Sequence, residues 1–167
     1  MPEADVALAA ESNLAVMDCL SEQIHQLEHV VRSRVRPRPE LDHLCTVDGI
    51  GPILAWTLLL KIGDIRRFGR VSQFASYCRC VDANRLSNGK KKGENNGKNG
   101  NRYLAWAFVE AAHFAVRYNP KIQRYDQRKK AKKNAAVATK EVAHKLERAC
   151  YSILREGVPF DVDRAFA

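Results

Sequence analysis

No stretch of about 18 apolar residues occurs in the 167-residue chain, and its start lacks the charged-then-apolar pattern of a secretory signal. A membrane-spanning or exported protein is therefore not expected, and a cytoplasmic one is. Cysteine is sparse and odd in number: Cys19, Cys45, Cys78, Cys80 and Cys150. Cys78 and Cys80 stand close together, but no second pair and no histidine cluster follows at zinc spacing. Neither a disulfide framework nor a metal site is expected, and the thiols read as reduced. Strands of ordinary length are also missing. The expected fold is all-α, with at most one small β-hairpin.

Acidic charge is lacking in the middle of the chain. Residues 61–133 carry 19 Lys and Arg against 5 Asp and Glu, whereas residues 1–40 carry 4 against 7. The overall excess of +9 thus sits in one block. A localised basic block points to a polyanion, most directly nucleic acid. An anionic membrane is disfavoured, because the block has no long amphipathic stretch with a strong apolar face.

The apolar pattern predicts a helix from Ser12 to about Val35. Leu20, Ile24, Leu27 and Val31 follow four-three-four spacing and make a narrow stripe. Two readings stand: a coiled coil that joins two copies, or an amphipathic helix packed on its own domain. Arg34-Val35-Arg36-Pro37-Arg38-Pro39 then reads as a linker, since proline disfavours helix in the residue before it. The expected organisation is a helical segment 1–36, a compact domain 41–157 and a tail 158–167.

Within the domain, a short helix at Leu41–Cys45 leads into Val47-Asp48-Gly49-Ile50-Gly51, and Pro52 opens a second helix. The pattern resembles the helix-hairpin-helix motif, whose glycines and helix start offer backbone N–H groups to a phosphate. Such contacts are not sequence-specific. The alternative is a plain helical hairpin anchored by Ile50. Arg66 and Arg67 follow on a basic turn, and further helices are expected at 71–78, 101–118, 121–133 and 134–155. Lys129 and Lys130 belong to a basic run that is either phosphate-facing or merely solvated.

Residues 84–102 form the most distinctive stretch. Ser87 is the hydroxyl nucleophile candidate, set among Arg85, Lys90, Lys91, Lys92, Lys98 and Arg102. Four glycines, at 89, 93, 97 and 100, let backbone approach a phosphate closely. The segment from Arg85 to Lys92 fits a small hairpin turning at Asn88-Gly89. The stretch suits phosphate binding and phosphoryl transfer; the competing reading is a solvated basic loop in which Ser87 is a turn residue.

Taken in order, Gly49-Ile50-Gly51-Pro52, Ile62-Gly63-Asp64-Ile65-Arg66-Arg67-Phe68, Phe74-Ala75-Ser76-Tyr77-Cys78, Ser87-Asn88-Gly89-Lys90-Lys91-Lys92-Gly93, Asn99-Gly100-Asn101-Arg102-Tyr103-Leu104-Ala105-Trp106-Ala107 and Val142-Ala143-His144-Lys145-Leu146 resemble one family. It is the C-terminal half of insertion-sequence transposases whose N-terminal half is an RNase H-like domain with a DEDD acidic set, the RNA-guided bridge recombinases. The resemblance covers roughly residues 12–157. It implies that Ser87 attacks a DNA phosphodiester and forms a covalent phosphoserine link. It implies that the first helix is the coiled coil joining protomers, and that the basic surfaces meet DNA and a guide RNA. The carboxylate-bearing half is absent from this chain, so magnesium is expected only with that half and no cofactor is expected here. One local departure is Arg79-Cys80-Val81-Asp82, where the family pattern has a glycine–leucine or similar apolar pair followed by proline.

Overall fold

The structure, a computed structural model, describes residues 3–34, 38–81, 84–88, 90–94 and 100–167, with the backbone alone in the two strands. It divides into two units, residues 1–37 and 38–167. The first is one helix, α1 (Glu3–Arg34), about 48 Å long at the usual rise per residue. It begins nine residues before the expected start at Ser12. Ala4, Ala7, Ala9 and Ala10 are strong helix formers, and acidic residues in the first turn complement the helix dipole. The stripe of Leu20, Ile24, Leu27 and Val31 is uncovered within this unit, at 56%, 55%, 67% and 39% exposure.

The second unit is helical, as expected. Its elements are α2 (Pro39–Cys45), α3 (Pro52–Ile62), a 3-10 turn (Ile65–Arg67), α4 (Val71–Tyr77), β1 (Asn84–Ser87), β2 (Lys90–Glu94), α5 (Arg102–Tyr118), α6 (Pro120–Lys132), α7 (Ala135–Glu156) and α8 (Val162–Phe166). The helices α5 and α7 form its centre. Leu104, Phe108, Ala111, Ala112 and Ala115 of α5 meet Val142, Leu146, Cys150 and Ile153 of α7 in one core. Phe74 of α4 fills the space beside them, with ring centres 5.2 Å from Phe68, 5.8 Å from Tyr151 and 6.3 Å from Phe108.

Side-chain caps set the helix boundaries. Asn101, Asn119, Asn134 and Asp161 each accept from backbone N–H groups in the first turn of α5, α6, α7 and α8. Asn119 also donates from Nδ2 to Asp48 Oδ2 at 2.7 Å, so one residue ties the α5–α6 corner to the α2–α3 turn. The stretch 158–167, expected as a tail, carries α8 and seats Phe166 in the core against Tyr125. The Asp161 cap and the apolar Phe166 four residues after Val162 explain that helix. Phe160 N donates to Thr46 Oγ1 at 2.8 Å, which holds the segment to the end of α2.

At Gly49 the α2–α3 turn lies directly on α5. Its φ is +88°, and a Cβ there would lie 2.2 Å from Ala111 O and 2.7 Å from Ala115 N. The turn touches the bare α5 backbone because both sides lack side-chain bulk. Gly51, two residues on, is exposed, has an ordinary φ and would place a Cβ in open space. Gly49→Ala should therefore destabilise the unit by about 3 kcal/mol or more, from the left-handed conformation and the overlap together. Gly51→Ala should fall within about 0.5 kcal/mol of wild type. Urea unfolding followed by circular dichroism compares the two; equal effects would overturn this account of the turn.

Candidate nucleic-acid interface

Two surfaces built by backbone geometry lie in the positions the sequence pointed to. The first is the α2–α3 turn. Ile50 is buried and its N–H donates to Val47 O at 2.9 Å, which closes the turn. Pro52 starts α3, no side chain caps the helix, and its first backbone bond runs from Ala55 N to Gly51 O. The N–H groups at the exposed Gly51 and Ile53 are therefore presented at the positive end of the helix dipole. Gly49, partly exposed, has its Cβ position turned against the α5 backbone.

The second surface is the base of the segment that carries Ser87. The helix α4 ends in a Schellman motif: Cys80 N donates to Ala75 O and Arg79 N to Ser76 O, each at 3.2 Å. Arg79 occupies the left-handed position, with φ of +57°, where glycine is usual. The returning chain lands on the same helix end. Asn101 N donates to Tyr77 O at 2.7 Å, and a Cβ on Gly100, whose φ is +82°, would lie 2.6 Å from that oxygen. Departure and return are thus pinned at one place, between the end of α4 and the start of α5.

From that base rises the expected hairpin. Strands β1 and β2 are antiparallel, with Ser87 opposite Lys90 and Asn84 opposite Glu94. Asn88, in the turn, has φ of +51°, the conformation a tight two-residue connection demands. Arg85 pairs with Gly93 and Leu86 with Lys91, which leaves Lys92 as a bulge. Ser87 is accordingly the last strand residue before the turn. The side chains of Ser87, Arg85, Lys90, Lys91 and Lys92, and the whole of Lys98, lie outside the described residues.

Cations gather around the base of this hairpin, each held on an aromatic ring. Arg67 lies 4.4 Å from the centre of Phe68 and 4.6 Å from that of Tyr77. Lys61, on α3, lies 4.5 Å from the centre of Tyr103, and Arg102 lies 5.0 Å from it and donates to its hydroxyl at 3.2 Å. Asn101 Nδ2 donates to Tyr77 Oη at 3.4 Å. That bond, with help from Arg67, lowers the Tyr77 pKa from its ordinary value, and the Arg102 bond does the same for Tyr103. Lys61 belongs to this group by position and is not evident in the sequence. Only the antiparallel packing of α3 on α5 brings it to the α5 start. Arg66 stands apart, highly exposed and bonded to Asp64. Lys129 and Lys130 are further away in kind: Lys129 pairs with Glu141 at 3.2 Å and Lys130 with the buried Asp126 at 2.6 Å. The second contact is an ion pair at an angle unsuited to a hydrogen bond. Both lysines are already partly neutralised by carboxylates.

A family model described as "Transposase IS116/IS110/IS902 family" matches residues 41–127, just over half of the chain. The chain belongs to that family of transposases. Among curated proteins it is 31% identical over 101 residues to a "Probable family 20 transposase" of Pseudomonas aeruginosa, covering 60% of this chain and 30% of that protein. It is 30% identical over 151 residues to the "Pilin gene-inverting protein" of Moraxella bovis, covering 84% of this chain and 46% of that one. A third relative, the "Insertion element IS110 uncharacterized 43.6 kDa protein" of Streptomyces coelicolor, is 25% identical over 146 residues, or 87% and 36%. The chain spans less than half the length of each. Among the described residues no helix is long and apolar enough to cross a membrane.

Beneath the surface lies an ionisable residue on the buried face of α7. Glu147 of α7 is fully buried, and neither carboxylate oxygen has a hydrogen-bond partner. Burial pushes its pKa up to about 8, so it is largely neutral at pH 7. Its neighbours Cys78, Cys80 and Cys150 are held as thiols for the same reason, Cys80 rising to about 12. They are packing groups and not nucleophiles. Because the folded pKa lies above the ordinary 4.5, this group's contribution is most favourable below pH 4.5 and is lost as pH rises towards 8. The full penalty is on the order of 5 kcal/mol. Glu147→Gln should therefore stabilise the protein by an amount that grows between pH 5 and 8 and then levels off. Thermal melts across that range measure the difference; a constant or falling gain would refute the burial account.

Proposed function

We propose that this chain is the DNA-binding, serine-bearing part of an insertion-sequence transposase, with Ser87 as the nucleophile of the complete protein. One observation carries the reading. The chain that carries the Ser87 hairpin leaves and rejoins the compact unit at the α4–α5 junction, at Cys80 and Asn101, where Lys61, Arg67 and Arg102 are held on aromatic rings. A phosphodiester brought to the hairpin meets fixed positive charge at its base. Ser87 Oγ would bond to phosphorus while the bond from phosphorus to a sugar oxygen breaks. The serine proton passes to a base, and the departing oxygen leaves as a hydroxyl or is held for the next strand. The attack of a second sugar hydroxyl on the phosphoserine reverses the step and frees the serine. Charge that builds on the phosphoryl oxygens is what the cations stabilise.

A serine hydroxyl needs an activating partner. Among the described residues no group of His, Cys, Asp or Glu fits a metal ion. Magnesium, with the base, belongs to the carboxylate-bearing half that the family resemblance implies. The α2–α3 turn supplies sequence-independent grip on the duplex through Gly51 and Ile53, and the basic surfaces extend to a guide RNA. The uncovered stripe of α1 pairs with a second copy, because four large apolar residues at heptad-like spacing gain most by facing their own kind.

In the complete protein, Ser87→Ala should abolish the covalent protein–DNA adduct and lower strand exchange by about a thousandfold or more. Affinity for DNA should stay within about twofold, because one neutral hydroxyl adds little to many phosphate contacts. An adduct that survives in the alanine variant on a denaturing gel would assign the nucleophile elsewhere. For the isolated chain, light scattering should show a dimer that Leu27→Lys converts to monomer. A wild type that stays monomeric at high concentration would remove the pairing role from α1.

A further inference from the structure

A cavity of about 750 Å³ opens between α7, the start of α4 and the segment 158–165. That size lies in the range of ligand-binding clefts and exceeds what a lone inorganic anion requires. Its polar wall is formed by Arg70, His144, Lys145, Arg148, Ser152 and Arg164. Two carboxylates, Glu141 and Asp161, also face it. Both are engaged: Glu141 accepts from Lys129 Nζ and Tyr125 Oη, and Asp161 Oδ1 caps α8 by accepting from Asp163 N and Arg164 N. Arg164 is held by Glu156 through two bonds, at 2.9 and 3.2 Å. This leaves Arg70, Lys145 and Arg148 with no carboxylate within ion-pair distance among the described residues. Lys145 instead rests 5.5 Å from the centre of the Tyr125 ring.

We propose that this groove binds the phosphate backbone of a polynucleotide strand, at a place separate from the Ser87 hairpin and from the α2–α3 turn. The inference rests on the nucleic-acid reading of the chain and adds a second contact to it. Arg70 and Arg148 are both exposed and end in planar forks suited to phosphate oxygens. They stand on two different elements, so an anion between them satisfies both at once. Tyr151, Pro159 and Phe160 form the apolar part of the wall and offer a surface for sugars or bases. His144 is the reporter of the site. Burial, and then Arg148, lower its pKa, while Glu141 opposes them. Glu147 Oε2, 4.0 Å from His144 Nε2, is too far for a hydrogen bond. A phosphate in the groove adds the negative charge that His144 lacks and draws a proton onto the imidazole.

The test uses the full chain, a short thymidine oligonucleotide and, separately, inorganic phosphate. Proton NMR follows the histidine rings through a pH titration, with His144→Asn to assign the signal. The oligonucleotide should raise the His144 pKa by about one unit. The pair Arg70→Gln and Arg148→Gln, confirmed as folded by thermal melting, should bind about tenfold more weakly. Its salt slope should be shallower by about two. Oligonucleotide binding that is unchanged in affinity and slope, with His144 unmoved, overturns the groove while leaving the nucleic-acid reading intact. A wild type that binds no oligonucleotide overturns that reading itself. A shift with inorganic phosphate but none with the oligonucleotide makes the groove a small-anion site and overturns the proposal. Arg70→Gln alone provides a milder variant if the pair is unstable.

Discussion

The distance between the α2–α3 turn and the backbone of α5 is the constraint on which the compact unit depends. At Gly49 the turn rests on the carbonyl of Ala111 with no side chain between. The alanines of α5 make a smooth track for it, and Asn119 fastens the far side by bonding Asp48. Any added bulk would lift α3 away from α5. Lys61 would then leave Tyr103, and the charge at the base of the hairpin would fall. The turn that looks like a phosphate grip is therefore also a spacer, with Gly51 and Ile53 on its exposed side.

The second organising element is α5 itself. Its buried face carries the core, its start receives the returning loop, and its end shares Asn119 with α6. Lys61, Arg67 and Arg102, near its first turn, rest on aromatic rings. Rings hold a cation without cancelling it. By contrast Lys129 and Lys130, with carboxylate partners, present less net charge than their place in a basic run suggests.

Much of this was legible in the sequence, for identifiable reasons. Proline at a first turn, asparagine at a cap and regular apolar spacing are local signals, and α3, α5, α6 and α7 follow them closely. The Asn88-Gly89 hairpin was legible because positive φ is demanded there. What was not legible depends on contacts between distant residues. Glu147 has the spacing of a buried position but the chemistry of a surface one. Phe166 reads as the end of a tail until Tyr125 is placed beside it. Arg70 and Arg148 are 78 positions apart, and no pattern within either helix joins them. The two roles of Gly49 and Gly51, identical in letter, separate only when α5 is put against one of them. Arg79 shows the reverse: its position predicts glycine, and the Schellman bonds form around arginine all the same.

The meeting of both feet of the Ser87 segment at one helix end has a consequence for variation. A segment whose ends are held together by the scaffold does not transmit its length or composition to the core. The entropy of closing such a loop grows only slowly with residue number. A change of length between Cys80 and Gly100 therefore costs the compact unit little as long as Asn101 N keeps its bond to Tyr77 O. The segment is in effect an insert on a fixed socket: a change within it stays local, while the bond from Asn101 N to Tyr77 O keeps the socket closed.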